Sequence, residues 1–320
     1  MAGSKSVVLA ALVANAAIAV LKFLGYLLTG SPSMLSETYH SVSDTGNQVF
    51  LLVGIRYSGR KPSQAHPFGY GKAQFFYSFL VSVLLFGIAG WESLKHGYQA
   101  VVATGHAEEA ADVVIAGFNV SAAVPVEPFW VNVAVLVGAI VFEAYAFRKA
   151  LGELTRQIRK YGWDGIYEAF RATSDVTTLT AFTEDAIALS GAGVALVGIT
   201  LTRVTGNEAY DAVASILIGA LLMTFAVALA WENKRLLLGE SLPSETEAKL
   251  RGAVADHTGV VHIDGFRTMF IGPGEALVTA DVSFDPDLVT GDIDEDISQI
   301  ESALRDLDDR VRIVYIEPEL

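Results

Sequence analysis

The sequence predicts a membrane protein with two parts: an all-α domain of six membrane-spanning helices, then a small α+β domain. Hydrophobic residues make up 52% of the 320 residues and charged residues only 18%, below the roughly 25% of an ordinary soluble domain. Six apolar runs approach or exceed the ~20 residues that a helix needs to cross a bilayer. Most of the net charge of −14 falls in positions 237–320, which hold 19 acidic and 6 basic residues. We therefore expect a transmembrane domain over 1–236 and a soluble, cytoplasmic domain over 237–320.

The six spans are predicted at about positions 7–28, 34–57, 75–98, 129–147, 177–201 and 210–231. Lysine and arginine are concentrated in the loop after span two and in the connector at 148–171, which follows span four. The connector at 101–127 is acidic and has no Lys or Arg. Because basic loops stay in the cytoplasm, this pattern predicts that both termini are cytoplasmic. We expect a multi-pass protein of the cell membrane.

The C-terminal part reads as a compact domain of alternating helices and strands. An amphipathic helix is predicted over 244–257, with Ser244 as its N-cap. Strands are predicted over 259–269 and 275–284, a second helix over 292–307 and a third strand over 311–316. The order αββαβ favours a two-layer domain of ferredoxin-like type.

Composition excludes several classes of function. The chain has no cysteine, so thiolate metal sites and disulfides are excluded. Nucleic acid is not an expected partner, since such proteins carry a basic footprint. A metal ion would have to be bound by His, Asp, Glu, Asn or backbone oxygen, a donor set that suits zinc, manganese, iron or cobalt.

Span two carries the strongest chemical signal. His40 and Asp44 are four residues apart, so on a helix they lie on one face, one turn above the other. Ionisable residues inside a bilayer are costly and mark functional sites by default. An imidazole and a carboxylate stacked in this way form half of a site for a divalent metal ion.

Span five supplies further carboxylates, Glu184 and Asp185. If the spans meet, His40, Asp44 and Asp185 bind the ion, and Glu184, Glu143 or water completes the site. An alternative reading of Glu184 and Asp185 is a pair of acids in the first turn of a helix. Two or three carboxylates neutralise a divalent cation. When the ion leaves, they repel one another and should take up protons.

Other ionisable residues within the spans have more than one interpretation. Lys22 either reaches toward the membrane surface or faces the interior of the helix bundle, and Glu143 is a candidate partner for it. Asp211 is predicted to cap a helix N-terminus. Asn47 and Gln48 can line a pore or bond between helices.

With these residues in place, the chain resembles the cation diffusion facilitator family over nearly its whole length. The motifs that carry the resemblance are His40-Ser41-x-x-Asp44-x-x-Asn47, Arg60-Lys61-Pro62, His66-Pro67-Phe68-Gly69-Tyr70-Gly71-Lys72, Asp185, the run DAVASILIG at 211–219 and Leu238-Gly239-Glu240-Ser241-Leu242-Pro243. The resemblance implies a homodimeric transporter that exports zinc, manganese, iron or cobalt from the cytoplasm in exchange for protons, with no resident cofactor. It also implies an ion pair between Lys72 and an acid at the end of span six, for which Glu232 is the candidate.

Two departures from the family pattern bear on the metal. The zinc-type pattern has a second histidine four residues before Asp185, where this chain has Ala181. The loop site of some members matches Ser63, His66 and Tyr70 here, so we expect that site to be absent.

Two other functions compete with transport. The first is a membrane-embedded metal-dependent hydrolase, although the chain has neither a His-Glu-x-x-His motif nor a Gly-x-Ser-x-Gly turn. The second is a scaffold that does not transport and whose acidic domain binds partners. We expect a transporter and not an enzyme.

Overall fold

The computed structural model describes residues 2–103, 114–115, 118–119 and 127–319. The described α-helices are α1 Ala2–Thr29, α2 Pro32–Ser58, α3 Ala73–Leu84, α4 Trp91–Ala103, α5 Pro128–Tyr161, α6 Gly165–Ala172, α7 Val176–Thr205, α8 Ala209–Leu238, α9 Ser244–Ala255 and α10 Thr290–Leu307. A π-helical segment, Leu85–Gly90, joins α3 to α4. The described strands are β1 Val114–Ile115, β2 Phe118–Asn119, β3 Val260–Gly272, β4 Glu275–Phe284 and β5 Val311–Glu319.

The chain divides into two compact units. The first consists of Met1–Val53, Tyr77–Ile166 and Thr177–Trp231, and the second of Gly54–Phe76, Tyr167–Val176 and Glu232–Leu320. The first unit is therefore the helical one and the second contains the C-terminal sheet. The predicted domain boundary between positions 236 and 237 stays a prediction.

Four helical stretches of the described chain are long and apolar enough to cross a membrane: Ala73–Val102, Phe129–Tyr161, Thr178–Thr205 and Ala209–Leu238. They match predicted spans three to six. For span one, the apolar helix within the described residues is shorter, Asn15–Thr29. Helix α2 has 27 residues, but its buried polar side chains lower its hydropathy. A helical, membrane-type domain is thus confirmed, with four of the six spans. Most of the acidic connector predicted at 101–127 lies outside the described residues.

Helices of the first unit approach closely where glycine leaves room. A Cβ atom at Gly219 of α8 would lie 2.6 Å from the backbone nitrogen of Leu94 in α4. One at Gly97 of α4 would lie 2.7 Å from the backbone nitrogen of Ile216 in α8. Glycine on both sides lets the two backbones touch, which is how helices pack in the absence of a hydrophobic driving force between them.

The π-helical segment divides predicted span three into two parts with different partners. Before it, the hydroxyl of Ser78 lies 3.1 Å from that of Thr180 in α7. After it, the hydroxyl of Ser215 in α8 donates to the carbonyl of Ser93 at 3.0 Å. A π turn inserts one residue into the helical ladder and so shifts the register of the residues on its C-terminal side.

The second unit contains a three-stranded sheet in the order β3-β4-β5. The pair β3–β4 is antiparallel and joined by a tight turn, whereas β4–β5 is parallel and needs the crossover helix α10. Its core combines one side of β4 with apolar residues of α9 and α10; among its fully buried members are Leu250, Val254, Val278, Val282, Ile300 and Leu304. The predicted order of helices and strands is confirmed.

Two local predictions in the second unit are wrong. Ser244 is the first residue of α9 and Pro243 is its N-cap, without a side-chain capping bond; the fixed φ of proline already sets the entry to the helix. Glu232 does not pair with Lys72. Its carboxylate accepts a hydrogen bond of 2.8 Å from Arg235, one turn further along the same helix, while the Lys72 ammonium lies 3.7 Å from the sulfur of Met269.

Candidate metal centre

A buried polar face runs along α2. Its members are Ser33, Glu37, His40, Asp44 and Asn47, with exposed fractions between 0% and 6%. They follow one another at intervals of four, three, four and three residues. This spacing keeps all of them on the same side of the helix. The opposite side of α2 contains exposed apolar residues such as Val42 and Val49.

His40 and Asp44 lie together on this face, as their spacing predicts. Their closest atoms, Nδ1 of His40 and Oδ1 of Asp44, are 3.4 Å apart. Three buried atoms lack a hydrogen-bond partner among the described residues: Nδ1 and Nε2 of His40, and Oδ1 of Asp44. Buried polar atoms are nearly always paired, so an unpaired group requires a physical explanation. A cation bound between them would supply one.

Helix α7 reaches the polar face through Glu184. The side-chain amide of Asn47 donates to Oε1 of Glu184 at 2.8 Å, and Glu184 is buried. Asp185 follows about 100° further around the helix and is only partly buried. It still lies within electrostatic range of Asp44, as do Glu184 and Glu143. Of the two carboxylates of span five, Glu184 is thus the one bonded to α2.

A closed set of ligands is not formed. Within the described ranges, no three His, Asp or Glu side chains are close enough together to bind one metal ion. The structure brings His40 next to Asp44 and holds Glu184 one turn further along the same face through Asn47. Coordination by residues of both helices would therefore require a shift of side chains or of α7 against α2.

Lys22 faces the bundle interior, and its partner is Glu37. The ammonium of Lys22 donates to Oε2 of Glu37 at 2.7 Å, and neither side chain has any exposed area. Glu143, the candidate partner in the sequence, lies within electrostatic range of Lys22. Gly191 of α7 leaves the space that Oε1 of Glu37 occupies, because a Cβ atom there would overlap this oxygen. A buried ion pair thus lies about one turn from His40.

Asp211 does not cap its own helix. Its carboxylate accepts hydrogen bonds from the hydroxyls of Ser31, at 2.5 Å, and of Ser33, both at the start of α2. Asn207 instead accepts a hydrogen bond from the first turn of α8: the backbone N–H of Ala209 donates to its side-chain oxygen at 3.0 Å. Asp211 therefore fixes the start of α2 against the start of α8. A sequence cannot show this contact, because it joins residues about 180 positions apart.

In the first unit, helices long enough to cross a membrane surround buried carboxylates, an imidazole and an ammonium group. This arrangement defines a class of protein: a multi-pass membrane protein with a polar interior, which is the architecture of secondary transporters. The model of the cation efflux transmembrane domain matches residues 8–238, well over half of the chain. The chain belongs to this family, the cation diffusion facilitators. The family consists of transporters and not of enzymes.

Similar proteins come from distant organisms. The chain is 30% identical over 288 residues to the mitochondrial proton-coupled zinc antiporter SLC30A9 of Homo sapiens, covering 90% of this chain and 47% of that protein. It is 28% identical over 288 residues to metal tolerance protein C4 of Arabidopsis thaliana, covering 89% and 58%. A shorter match, 31% identical over 99 residues and covering 31% of each chain, is to the magnetosome protein MamM of Paramagnetospirillum magneticum. The chain spans about half the length of the first two.

Proposed function

We propose that this protein exports a divalent metal cation from the cytoplasm in exchange for protons, with zinc as the first candidate substrate and manganese or iron next. The observation that carries the proposal is the His40–Asp44 pair, fully inside the helical unit and with three buried atoms that lack partners among the described residues. These atoms are the donors that zinc and similar ions prefer. Membership of the cation efflux family supports the same conclusion.

The proposed ligands are His40, Asp44 and Asp185, with Glu184 as the assisting carboxylate. Asn47 holds Glu184 against α2, and Asp185 lies within electrostatic range of Asp44. Closure of α7 onto α2 would bring the carboxylates to the imidazole and complete the coordination. Opening would separate them again, which fits rocking of helices around a fixed site.

Proton exchange follows from the charges of the site. Two or three carboxylates balance a divalent cation, so the loaded site is close to neutral. Without the cation, the carboxylates repel one another in a medium of low dielectric constant, and binding of protons relieves the repulsion. Protons that enter from the far side would therefore displace the cation.

Zinc is the first candidate because one similar protein is named as a proton-coupled zinc antiporter and because His40 provides an imidazole. The position where zinc-type members have a second histidine is Ala181 here. Replacing an imidazole by carboxylate oxygens moves the preference of a site toward manganese or iron(II). We expect Ala181→His to raise the ratio of zinc to manganese transport.

The transport test uses purified protein in liposomes with a pH gradient and a fluorescent indicator for the metal inside. We expect zinc uptake that collapses with the gradient and that falls at least about a hundredfold in His40→Ala/Asp44→Ala, since the ion loses two direct ligands. His257→Ala is the matched control, because this histidine is partly exposed, lies in the second unit and bonds through its ring to the neighbouring carbonyl of Thr258. Transport by the double variant at the parent's rate would refute the site.

We further propose six spans, with both termini in the cytoplasm of the cell, insertion in the cell membrane and assembly as a homodimer. The charge pattern of the loops supports the orientation. The absence of cysteine makes the test clean, because a single introduced thiol is the only one that can react. We expect a membrane-impermeant thiol reagent to label Thr205→Cys in intact cells and to label Ser63→Cys only after lysis. The reverse pattern would invert the topology.

A further inference from the structure

A stripe of arginines lies on the C-terminal half of α5, beyond its apolar part. Its charged members are Arg148, Arg156 and Arg159, all exposed, and Gly152 and Thr155 lie between them. Steps of four, three and four residues keep positions 148, 152, 155 and 159 on one face of the helix, and Arg156, four residues after Gly152, lies at the edge of that face. Lys149 and Lys160 follow Arg148 and Arg159 by one residue each, so they lie about 100° around the helix from those two arginines, and neither lysine lines the cavity described next.

The stripe lines a cavity of about 440 Å³ on this helix. Its lining residues are Arg148, Leu151, Gly152, Thr155, Arg156 and Arg159. The hydroxyl of Thr155 is turned to the carbonyl of Leu151, at 2.7 Å, and glycine adds no side chain. The floor of the cavity is therefore largely apolar, and we call the three arginines among its lining residues its rim.

The charge of the rim is mostly uncompensated. Arg156 contacts Glu153 at 2.5 Å, in a pair in which the arginine is 77% exposed. Within the described ranges, Arg148 and Arg159 have no carboxylate within ion-pair distance. Guanidinium groups bind phosphate through paired, charge-assisted hydrogen bonds, so the rim is complementary to a phosphate-bearing ligand.

The position of the stripe indicates where the phosphate comes from. The apolar part of α5, positions 129–147, is about 28 Å long and matches the ~30 Å hydrocarbon layer of a bilayer. Arg148 therefore lies where the headgroups begin. Clusters of four to eight basic residues directly after a membrane span are typical of anionic-lipid binding, and 148–160 contains five. Arg148 and Arg159 are about 16 Å apart along the axis, which exceeds the reach of a single phosphate.

We propose that this arginine stripe is a binding site for an anionic phospholipid whose headgroup carries more than one phosphate, in the leaflet at the C-terminal end of α5. The apolar floor accommodates the glycerol end of the lipid, and the guanidinium groups bind the phosphates. The positive-inside rule, which we used to orient the protein, requires only that the connector has basic residues near the membrane. A lipid site requires the arginines that line the cavity, and this difference makes the proposal testable.

The experiment measures lipid retained by the full-length protein in detergent, by native mass spectrometry during titration with a diphosphate lipid such as cardiolipin. The variant is Arg148→Gln/Arg159→Gln and the matched control is Lys149→Gln/Lys160→Gln, which removes the same charge at nearly the same depths from positions that do not line the cavity. We expect the arginine variant to bind at least about tenfold more weakly than the control, beyond the general attraction of a basic helix end. Arg148→Lys/Arg159→Lys, which keeps the charge and loses the paired hydrogen bonds, should fall between the two.

Three outcomes would overturn the proposal. Equal losses in the arginine and lysine variants would show only attraction to a charged surface. Retention of phosphatidylcholine as strong as that of the diphosphate lipid would show that the headgroup is not recognised. Displacement of the lipid by millimolar inorganic phosphate would identify a soluble phosphate compound as the ligand. Because the readout is lipid binding, none of these outcomes bears on the proposed transport.

Discussion

The buried ion pair between Lys22 and Glu37 leads to a prediction about stability. Replacing Glu37 by glutamine keeps the shape of the side chain but leaves the ammonium of Lys22 without its counter-charge. At 2.7 Å, the direct attraction amounts to about 6 kcal/mol for an effective dielectric constant near 20, and the cost of desolvating both groups offsets much of it. Removing one partner of a buried pair costs about 3–5 kcal/mol, because the other charge stays buried.

The assay is thermal unfolding of the detergent-purified protein, followed by intrinsic fluorescence. One kcal/mol corresponds to about 2–4 °C in a protein of comparable size, so Glu37→Gln should lower Tm by roughly 10 °C. The matched control is Glu92→Gln, which removes a carboxylate from a pair with Lys95 whose two side chains are 31% and 47% exposed. Exposed pairs contribute at most about 1 kcal/mol, so the control should hardly change Tm.

A second variant separates charge from packing. Lys22→Met/Glu37→Gln removes both charges and keeps most of the side-chain volume. We expect it to recover the greater part of the lost stability, since no uncompensated charge remains in the bundle. If Glu37→Gln unfolds at the same temperature as Glu92→Gln, Lys22 is not buried against Glu37 and the reasoning fails.

The remaining predictions concern the polar face of α2 and its neighbours. Cation binding should weaken as the pH is lowered, because protons compete with the cation for imidazole and carboxylates; a calorimetric titration that shows no change with pH would contradict this. Asn47→Ala should lower metal affinity by about tenfold, since the amide orients Glu184, whereas Asn132→Ala, which alters a bond between α5 and α1, should not. Asp211→Asn should destabilise the protein by about 2 kcal/mol through weaker bonds to two serine hydroxyls, and an unchanged Tm would argue against this role.

Local patterns in the sequence account for much of the fold. Apolar runs located four spans, since length and hydropathy alone decide whether a helix can cross a bilayer. The C-terminal elements followed from alternation and turn residues, and their bounds differ from the predicted ones by a few residues. The contact between His40 and Asp44 also followed from spacing, because residues four apart on a helix are neighbours whatever surrounds them.

Predictions failed where a contact depends on how helices are rotated against one another. Glu184 and Asp185 are adjacent, and only the phase of α7 decides which of them meets Asn47. The candidate partner of Lys22 was Glu143, whereas the ammonium bonds to Glu37, because the rotation of the helices decides which carboxylate it meets. The π-helical segment in predicted span three has no local signature at all. The residues on either side of it bond to different helices, Ser78 to α7 and Ser93 to α8, and a local pattern cannot contain such contacts.

The wide turn at Leu85–Gly90 has a consequence for changes in chain length. A helix that loses one residue rotates everything beyond the deletion by about 100°, which would turn the packed faces of α7 or α8 away from their neighbours. The π turn already contains one residue more than a regular helix needs. Removing Phe86, whose side chain is 40% exposed, would convert the segment into ordinary α-helix and leave both flanking faces where they are. Among the described helices, this short stretch is thus a place where a membrane span can lose one residue without turning its packed faces away from their neighbours.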